Sequence, residues 1–321
     1  MPDEREESGG HPPGEAAAGE AKGTPSDSAH QAAAELTADV SPEVQGTVEG
    51  FMAEAAQQNV AANEAVPERR HQAGPYIAFE HVSKSFGDFV VLEDVSFSIL
   101  PGETLCILGR SGVGKSVSLQ MLMGFYRPDK GKIMVAGENI CGMTEKQLQK
   151  IRTKVTMVFQ NGALFDSITV GENVAFPLRE RHDLAEDQIQ QVVRGLLEMV
   201  GVAGMEDLLP SDLSTGMKRS VAIARALASQ PEAVLYDEPT TMVDPLMGHL
   251  LGNLIARLKT QLHLTSIVVT HDMRFARKLA DRVVFLHQGA ARFFGTMEEM
   301  DRSDDPVLQE FLAMDQLVLP V

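Results

Sequence analysis

Residues 109–117 read GRSGVGKSV and combine a glycine-rich turn with a lysine and a serine, residue types that bind phosphate and a divalent cation. Gly109, Gly114, Lys115 and Ser116 fit the spacing GxxxxGK[ST], with an apolar run before them and a helical pattern after them. Backbone N–H groups at a helix N-terminus favour the β- and γ-phosphates of a nucleotide. We therefore expect Lys115 to pair with these phosphates and Ser116 to ligate Mg²⁺. The alternative is a glycine turn without a ligand, but chance matches to the whole pattern are rare.

Two adjacent carboxylates end a second apolar run, AVLYDEP. Asp237 has the position of a strand-end carboxylate that holds Mg²⁺ directly or through water. Glu238 can accept a proton from the water that attacks the γ-phosphate, which is a general-base role. Two strand-end acids alone are more often an N-cap and a surface charge. Their position after a phosphate-binding loop favours the functional interpretation.

The segments that must position these residues alternate between strand and helix patterns. TLCIL, KVTMVFQ (ending on Gln160), AVLYDEP and TSIVVTHD are short apolar runs typical of buried strands, and helical periodicity separates them. YIAFEHVSKSFGDFVVLEDVSFSIL instead alternates apolar and polar residues around a Gly-Asp break, which predicts an antiparallel hairpin. The sequence predicts an α/β fold with a mainly parallel sheet over residues 75–295. An antiparallel β subdomain and a helical subdomain at about residues 161–215 complete it.

The two ends of the chain differ from this central region. Residues 1–74 are rich in Ala, Glu, Gly and Pro, which predicts a disordered acidic tail, with a weak helix around Phe51 as the alternative. Residues 296–321 form a C-terminal extension with a helical apolar face, which we expect to contact another subunit. Docking on its own domain is the alternative. The residues of that face are Val307, Leu308, Phe311, Leu312, Met314 and Leu317.

Charge and composition exclude several classes of function. The formal net charge is −17, and the first 75 residues, with 14 acidic and 4 basic side chains, carry −10 of it. No basic stripe for nucleic acid is present, and an acidic surface is repelled by anionic lipid. Cys106 and Cys141 form no disulfide or metal pattern. The acidic opening and the lack of about 18 consecutive apolar residues predict a cytosolic protein whose membrane role is indirect.

The order of these motifs resembles that of ATP-binding cassette (ABC) ATPases over about residues 76–295. LSTGM lies between the phosphate loop and Asp237, and His271 follows the next strand. The resemblance implies a P-loop NTPase fold with ATP and Mg²⁺ as cofactors, Glu238 and His271 as catalytic residues, and Ser116, Gln160 and Asp237 at the metal. It implies that Phe86 stacks on adenine. The loop residues that it assigns to the nucleotide are Gly109, Arg110, Ser111, Gly112, Val113, Gly114, Lys115, Ser116 and Val117.

The resemblance further implies a second copy of the chain. In this family Ser214 and Gly216 would contact the nucleotide of the other subunit, so two cassettes would face each other head to tail. Asp244 is also assigned to the nucleotide. Two positions depart from the family pattern, since LSGGQ is LSTGM here and Met242 replaces a small residue. We therefore expect slow hydrolysis.

Several segments are similar to ATP-binding subunits of Mla/Mce-type lipid transporters, including FQNGALFDSITVGENVAFPL and LYDEPTT. That resemblance implies phospholipid transport at the cytoplasmic face of a bacterial inner membrane. The implied partners are permease subunits, an MCE-domain protein and a STAS-domain regulator, with Leu164 and Phe165 in the permease groove. The alternatives are the ATPase of an amino-acid or other solute importer, and a nucleotide-gated interaction protein with weak hydrolysis.

Overall fold

The strand and helix patterns of the sequence form two sheets and a set of helices. The structure, a computed structural model, describes residue 38, residues 40–63 and residues 74–317. In chain order the elements are α1 (Pro42–Asn63), β1 (Ile77–Phe86), β2 (Phe89–Ile99), β3 (Thr104–Leu108), α2 (Lys115–Leu122), β4 (Lys130–Val135), β5 (Glu138–Asn139), α3 (Glu145–Lys154), β6 (Val155–Val158), α4 (Val170–Arg181), α5 (Glu186–Met199), a 3₁₀ turn (Pro210–Asp212), α6 (Thr215–Ala228), β7 (Ala233–Asp237), α7 (Pro245–Leu262), β8 (Thr265–Val269), α8 (Met273–Leu279), β9 (Arg282–His287), β10 (Ala290–Gly295), α9 (Met297–Asp301) and α10 (Pro306–Leu317).

The larger sheet carries the phosphate loop and the carboxylates. Its six strands lie in the order β10-β9-β3-β8-β7-β6, and all pairings are parallel except that of β10 with β9. This confirms the predicted mainly parallel α/β core. β6 ends at Val158, so Gln160 lies two residues beyond the strand that was predicted to end on it.

Strand β3 is buried on both faces, which fixes the position of the loop that follows it. Leu105 and Ile107 belong to the core that this sheet shares with the smaller sheet, whereas Cys106 and Leu108 belong to the core that it shares with the helices. Alternate side chains of a strand point to opposite faces, so a continuous apolar run suits a strand covered on both sides.

The smaller sheet has the order β2-β1-β4-β5 and is antiparallel throughout. β1 and β2 form the predicted hairpin, with Ile77 opposite Ile99 and Phe86 opposite Phe89 at the turn. Phe79 and Phe97 stack with ring centroids 4.4 Å apart on its buried face. The turn places Phe86 at the edge of the site described below.

Helices α4 and α5 lie in the predicted helical subdomain. Thr169 and Glu172 form a capping box at the start of α4, which satisfies two backbone N–H groups of the first turn. Asn173 is fully buried, and its side chain bonds to the backbone of Phe165, Ile168 and Thr169. These bonds hold the segment before α4 against the helix.

The expectation of a disordered tail is wrong for residues 42–63, which form α1. This helix packs against α5 and α7, and its apolar stripe is buried. Ser41 N donates to Glu198, and Phe51 O accepts from the side chain of Gln230 at 2.8 Å. These residues form a helix because they pack against the rest of the domain. Such packing supplies most of the stability of a helix whose residues have only modest helix propensity. Residues 1–37, 39 and 64–73 lie outside the described residues. The stripe consists of Val44, Val48, Phe51, Met52, Ala55 and Ala56.

Helix α10 docks on its own domain, which corrects the expectation that its apolar face contacts another subunit. Leu308 and Leu312 are buried in the helical core, and Phe311 packs against Phe285 with ring centroids 4.8 Å apart. Arg292 also pairs with Asp305 just before the helix at 2.7 Å. The side chains of Met314 and Leu317 lie outside the described residues.

Candidate nucleotide-binding and catalytic site

The predicted phosphate loop opens into a cleft of about 1120 Å³ at the carboxyl ends of β3, β7 and β8. Most residues that the sequence assigned to the nucleotide line this cleft. They are Phe86, Arg110, Ser111, Gly112, Gly114, Lys115, Ser116, Val117, Gln160, Glu238 and His271. Ligand clefts are commonly found at this edge of parallel sheets.

The glycines of the loop adopt a backbone that other residues would strain. Gly114 precedes α2 with φ 98°, and a Cβ there would lie 2.7 Å from Leu92 Cδ2. Gly109 has φ 148°, and its Cβ would lie 2.5 Å from Leu286 O. Val113, between them, packs against the core. These constraints explain why this strand-to-helix turn needs glycine.

Lys115 is almost fully buried inside the loop, with a relative exposure of 6%. Its ammonium donates to Gly109 O at 2.9 Å and Arg110 O at 3.1 Å, and it lies 3.3 Å from Glu238 Oε1. The loop therefore holds one buried cation with a carboxylate beside it, and a lysine ammonium is a group that pairs strongly with phosphate oxygens.

Ser116 and Asp237 provide paired oxygens beside Lys115. Ser116 Oγ donates to Asp237 Oδ1 at 2.8 Å. Burial raises the pKa of the Asp237 carboxyl, the hydrogen bond from Ser116 opposes that shift, and the neighbouring Glu238 adds to it. No group of three His, Cys, Asp or Glu side chains among the described residues could hold a metal alone. This donor set fits Mg²⁺, which binds through one or two protein oxygens together with phosphates.

Glu238 lies at the centre of a hydrogen-bonded cluster. Its Oε2 accepts from Thr241 Oγ1 at 3.0 Å and lies 2.8 Å from His271 Nδ1. Its backbone has φ 47°, uncommon for a residue with a side chain, and its N–H donates to Val269 O at 2.9 Å. The predicted base and the predicted histidine are thus brought into contact.

Aromatic side chains border the cleft on the side of the smaller sheet. Phe86 is 42% exposed, and its ring meets the edge of Tyr126 with centroids 5.0 Å apart. Phe89 and Phe311 also line the cleft, although the sequence did not single them out as nucleotide contacts. Exposed aromatic rings suit stacking on a base. Phe89 begins a strand directly after a Gly-Asp turn, so the sequence alone could have indicated it as a cleft residue. Phe311 lies on a helix far along the chain, and no local motif marks it.

Ser214, Gly216 and Asp244 do not line the cleft of their own chain. Ser214 caps α6 by accepting from Met217 N at 3.3 Å, and Asp244 caps α7 by accepting from Met247 N at 2.9 Å. Gly216 lies against Met247, so the first turns of these two helices are adjacent. The structure therefore places the three residues together at the N-terminal ends of α6 and α7, outside the cleft, with Gly216 buried.

The chain is similar in sequence to known proteins. The family model described as ABC transporter matches residues 92–241. The probable ribonucleotide transport ATP-binding protein mkl of Mycobacterium leprae is 38% identical over 243 residues, which are 76% of this chain and 70% of that protein. The intermembrane phospholipid transport system ATP-binding protein MlaF of Haemophilus influenzae is 38% identical over 226 residues, which are 70% of this chain and 86% of that protein.

A solved structure shows the same fold. The dimeric ATP-binding cassette MJ0796, in a post-hydrolysis state with ADP and Pi, matches with a TM-score of 0.64 and 29% identity. The match covers 69% of this chain and 98% of that one. The chain therefore belongs to the ATP-binding subunits of ABC transporters and is an ATPase. Within the part of the chain that the structure describes, no helix has the length and apolarity of a membrane span.

Proposed function

We propose that the chain hydrolyses ATP in this cleft with Glu238 as general base. The observation that carries the proposal is the carboxylate of Glu238, held between Thr241 and His271 and 3.3 Å from the phosphate-loop lysine. Lys115 and the loop N–H groups hold the phosphates, and His271 contacts the γ-phosphate. A carboxylate placed next to the phosphate site can orient and deprotonate water.

Mg²⁺ would be held by Ser116 and Asp237, with Gln160 at the edge of the site. The ion would supply positive charge that neutralises the phosphates of the nucleotide. Phe86 would stack on adenine from the turn of the smaller sheet. The residues that carry these roles converge on one cleft although they lie far apart in the sequence.

We propose that two copies of the chain form a head-to-tail dimer. The related cassette MJ0796 is dimeric in its ADP- and Pi-bound structure. Ser214, Gly216 and Asp244 lie outside their own cleft, so a second subunit can offer them to its nucleotide. Thr215, next to Ser214, is exposed outside the cleft, whereas Met242 is 86% exposed and lines the cleft.

The transported substrate that we propose is phospholipid. The support is the similarity to MlaF, which extends over 86% of that protein. The chain would then act at the cytoplasmic face of the inner membrane, bound to permease subunits, with an MCE-domain protein and a STAS-domain regulator in the complex. A solute importer is the second candidate, because the similar mkl protein is named as a probable ribonucleotide transporter.

An exposed aromatic patch, formed by Phe165, Phe176 and Arg225, supports a permease contact. Phe165 and Phe176 are each 46% exposed, with ring centroids 5.3 Å apart. The guanidinium of Arg225 lies 5.7 Å from the Phe165 ring and donates to Ala163 O at 2.9 Å. Val174 is buried, whereas Phe176, two residues further along α4, is on the surface. Aromatic residues and arginine are the common anchors of protein interfaces.

Purification of the complex from its native membrane, followed by mass spectrometry and a vesicle-to-vesicle phospholipid transfer assay, tests this proposal. We expect Phe165→Ala to leave ATP affinity unchanged and to weaken permease binding by about 1 to 3 kcal/mol. Phe294→Ala is the control, because Phe294 is 37% exposed on β10 away from the patch. Wild-type permease binding by Phe165→Ala, with an unchanged melting temperature, would contradict the permease surface. ATP-dependent uptake of a nucleoside or amino acid without lipid transfer would favour the solute importer.

A further inference from the structure

Thr241 makes a contact that the known motifs do not account for. Its hydroxyl donates to Glu238 Oε2 at 3.0 Å, and its backbone N–H donates to Glu238 O at 3.2 Å. The first contact holds the carboxylate and the second closes the turn that carries it. Thr241 therefore contacts both the carboxylate and the backbone carbonyl of the proposed base.

The two oxygens of the Glu238 carboxylate have different partners. Oε1 faces the ammonium of Lys115 at 3.3 Å, whereas Oε2 faces Thr241 and His271. A bound phosphate competes for the charge of Lys115, because a lysine ammonium pairs strongly with phosphate oxygens. The bonds to Oε2 are then the contacts that keep the carboxylate oriented, with Oε1 free to accept a proton.

The backbone of Thr241 is in turn held by a buried arginine. Arg219 on α6 is 3% exposed, and its Nη2 donates to Thr241 O at 3.3 Å. Its Nε and Nη1 find no hydrogen-bond partner among the described residues. A buried cation with so few partners lowers stability, so packing does not explain it. Its position beside the Glu238 turn and near the charge of Asp237 suggests a role at the site.

We propose that Thr241 is a positioning residue for Glu238, and that Arg219 holds the Thr241 backbone in the orientation that this requires. The inference rests on the proposed role of Glu238 as general base. It deepens that proposal by naming the residues that aim the carboxylate. Since Arg219 lies on α6, the helix that begins beside Ser214, the orientation of Glu238 depends on the placement of that helix.

Steady-state ATP hydrolysis by the full chain, in its purified complex, tests the inference. We expect Thr241→Val to lower kcat by about 10-fold, the usual contribution of a hydrogen bond to a charged group, with the KM for ATP changed less than twofold. Thr241→Ser keeps the hydroxyl and should restore at least half of kcat. Thr156→Val is the matched control, because the Thr156 hydroxyl is buried on β6 without a hydrogen-bond partner among the described residues.

Glu238→Gln distinguishes a failure of the positioning role of Thr241 from a failure of the proposed general-base role of Glu238. That variant should hydrolyse ATP at least about 10²-fold more slowly than the wild type. Adding Thr241→Val to Glu238→Gln should change kcat less than twofold further, because the carboxylate that Thr241 orients is then absent. If Glu238→Gln kept the wild-type rate, the general-base role itself would be wrong. If Glu238→Gln were slow but Thr241→Val hydrolysed ATP normally, or if the two losses multiplied, the positioning role would be overturned.

Discussion

Gly195 on α5 provides a test of whether α1 packs against α5. Replacing Gly195 by alanine should destabilise the protein if α1 is packed there and stabilise it if α1 is not. Gly195 lies inside α5, where replacing glycine with alanine normally stabilises a helix by about 1 kcal/mol. With α1 in place, a Cβ on residue 195 would lie 2.0 Å from Val48 Cγ2 and 3.0 Å from Val48 Cβ. Carbon atoms in contact are normally about 3.5 to 4.0 Å apart. One of the two helices must therefore move.

The magnitude follows from these opposing effects. Overpacking of a filled core costs about 1 to 3 kcal/mol, and a valine in a helix has one strongly preferred rotamer, so Val48 cannot turn away freely. After the gain in helix propensity, Gly195→Ala should lower the free energy of unfolding by up to about 2 kcal/mol. Without docked α1, the same substitution should raise it by about 1 kcal/mol.

Thermal and urea unfolding of the full chain measure this difference. Val48→Ala removes the two methyl groups that meet the new Cβ and leaves the Cβ of residue 48 at 3.0 Å, so in that background Gly195→Ala should become close to neutral. Gly50→Ala is the matched control on α1 itself, because no atom lies within 4 Å of a Cβ there. It should stabilise the protein by up to about 1 kcal/mol.

Two outcomes would refute the docking of α1 on α5. One is a higher melting temperature for Gly195→Ala in the otherwise wild-type chain. The other is that Gly195→Ala changes the free energy of unfolding equally whether residue 48 is valine or alanine. Residues in contact should instead show a coupling energy. A loss of about 1 kcal/mol corresponds to a shift of about 2 °C for a domain of this size.

Two further predictions concern α10 and the phosphate loop. Leu308→Ala should destabilise the isolated chain by about 2 to 5 kcal/mol, because Leu308 is 1% exposed in its own core. An unchanged melting curve would mean that this face is not packed on its own chain. Lys115→Ala should weaken ATP binding, measured by calorimetry, because the buried cation of the phosphate loop is lost. Equal affinity in the variant and the wild type would contradict the assignment of this lysine to phosphate.

The parts of the fold that the sequence predicted are those specified by local patterns. The phosphate loop follows from a strand, a glycine turn and a helix that are contiguous in the chain, and β3 is recognisable because both its faces are apolar. Glu238 was identified because it follows Asp237 at the end of such a strand. Each of these signals is contained in a few consecutive residues.

The contacts that the sequence did not predict join distant residues without a motif. Thr241 was not singled out, since its bond to Glu238 depends on a turn with positive φ at Glu238. Arg219 is one of two arginines of α6 and follows Lys218 in the chain, and only burial distinguishes it. Phe311 reaches the cleft because α10 folds back on β9, which its own periodicity does not indicate. In each case, tertiary packing decides the role of the residue.

Helix α1 shows why composition placed the boundary of the folded domain too late. Averaged over 74 residues, the tail lacks the apolar content of a core, yet its stripe around Val48 and Phe51 is concentrated on one face. That face is complementary to α5 at Gly195, where the missing side chain lets the two helices approach closely. Phe51 also bonds through its carbonyl to Gln230, beyond α6, and its ring lies under Arg181 at the end of α4. Since α1 contacts both the helical subdomain and α7 of the core, residues 42–63 pack with the domain that the sequence predicted to start at Tyr76.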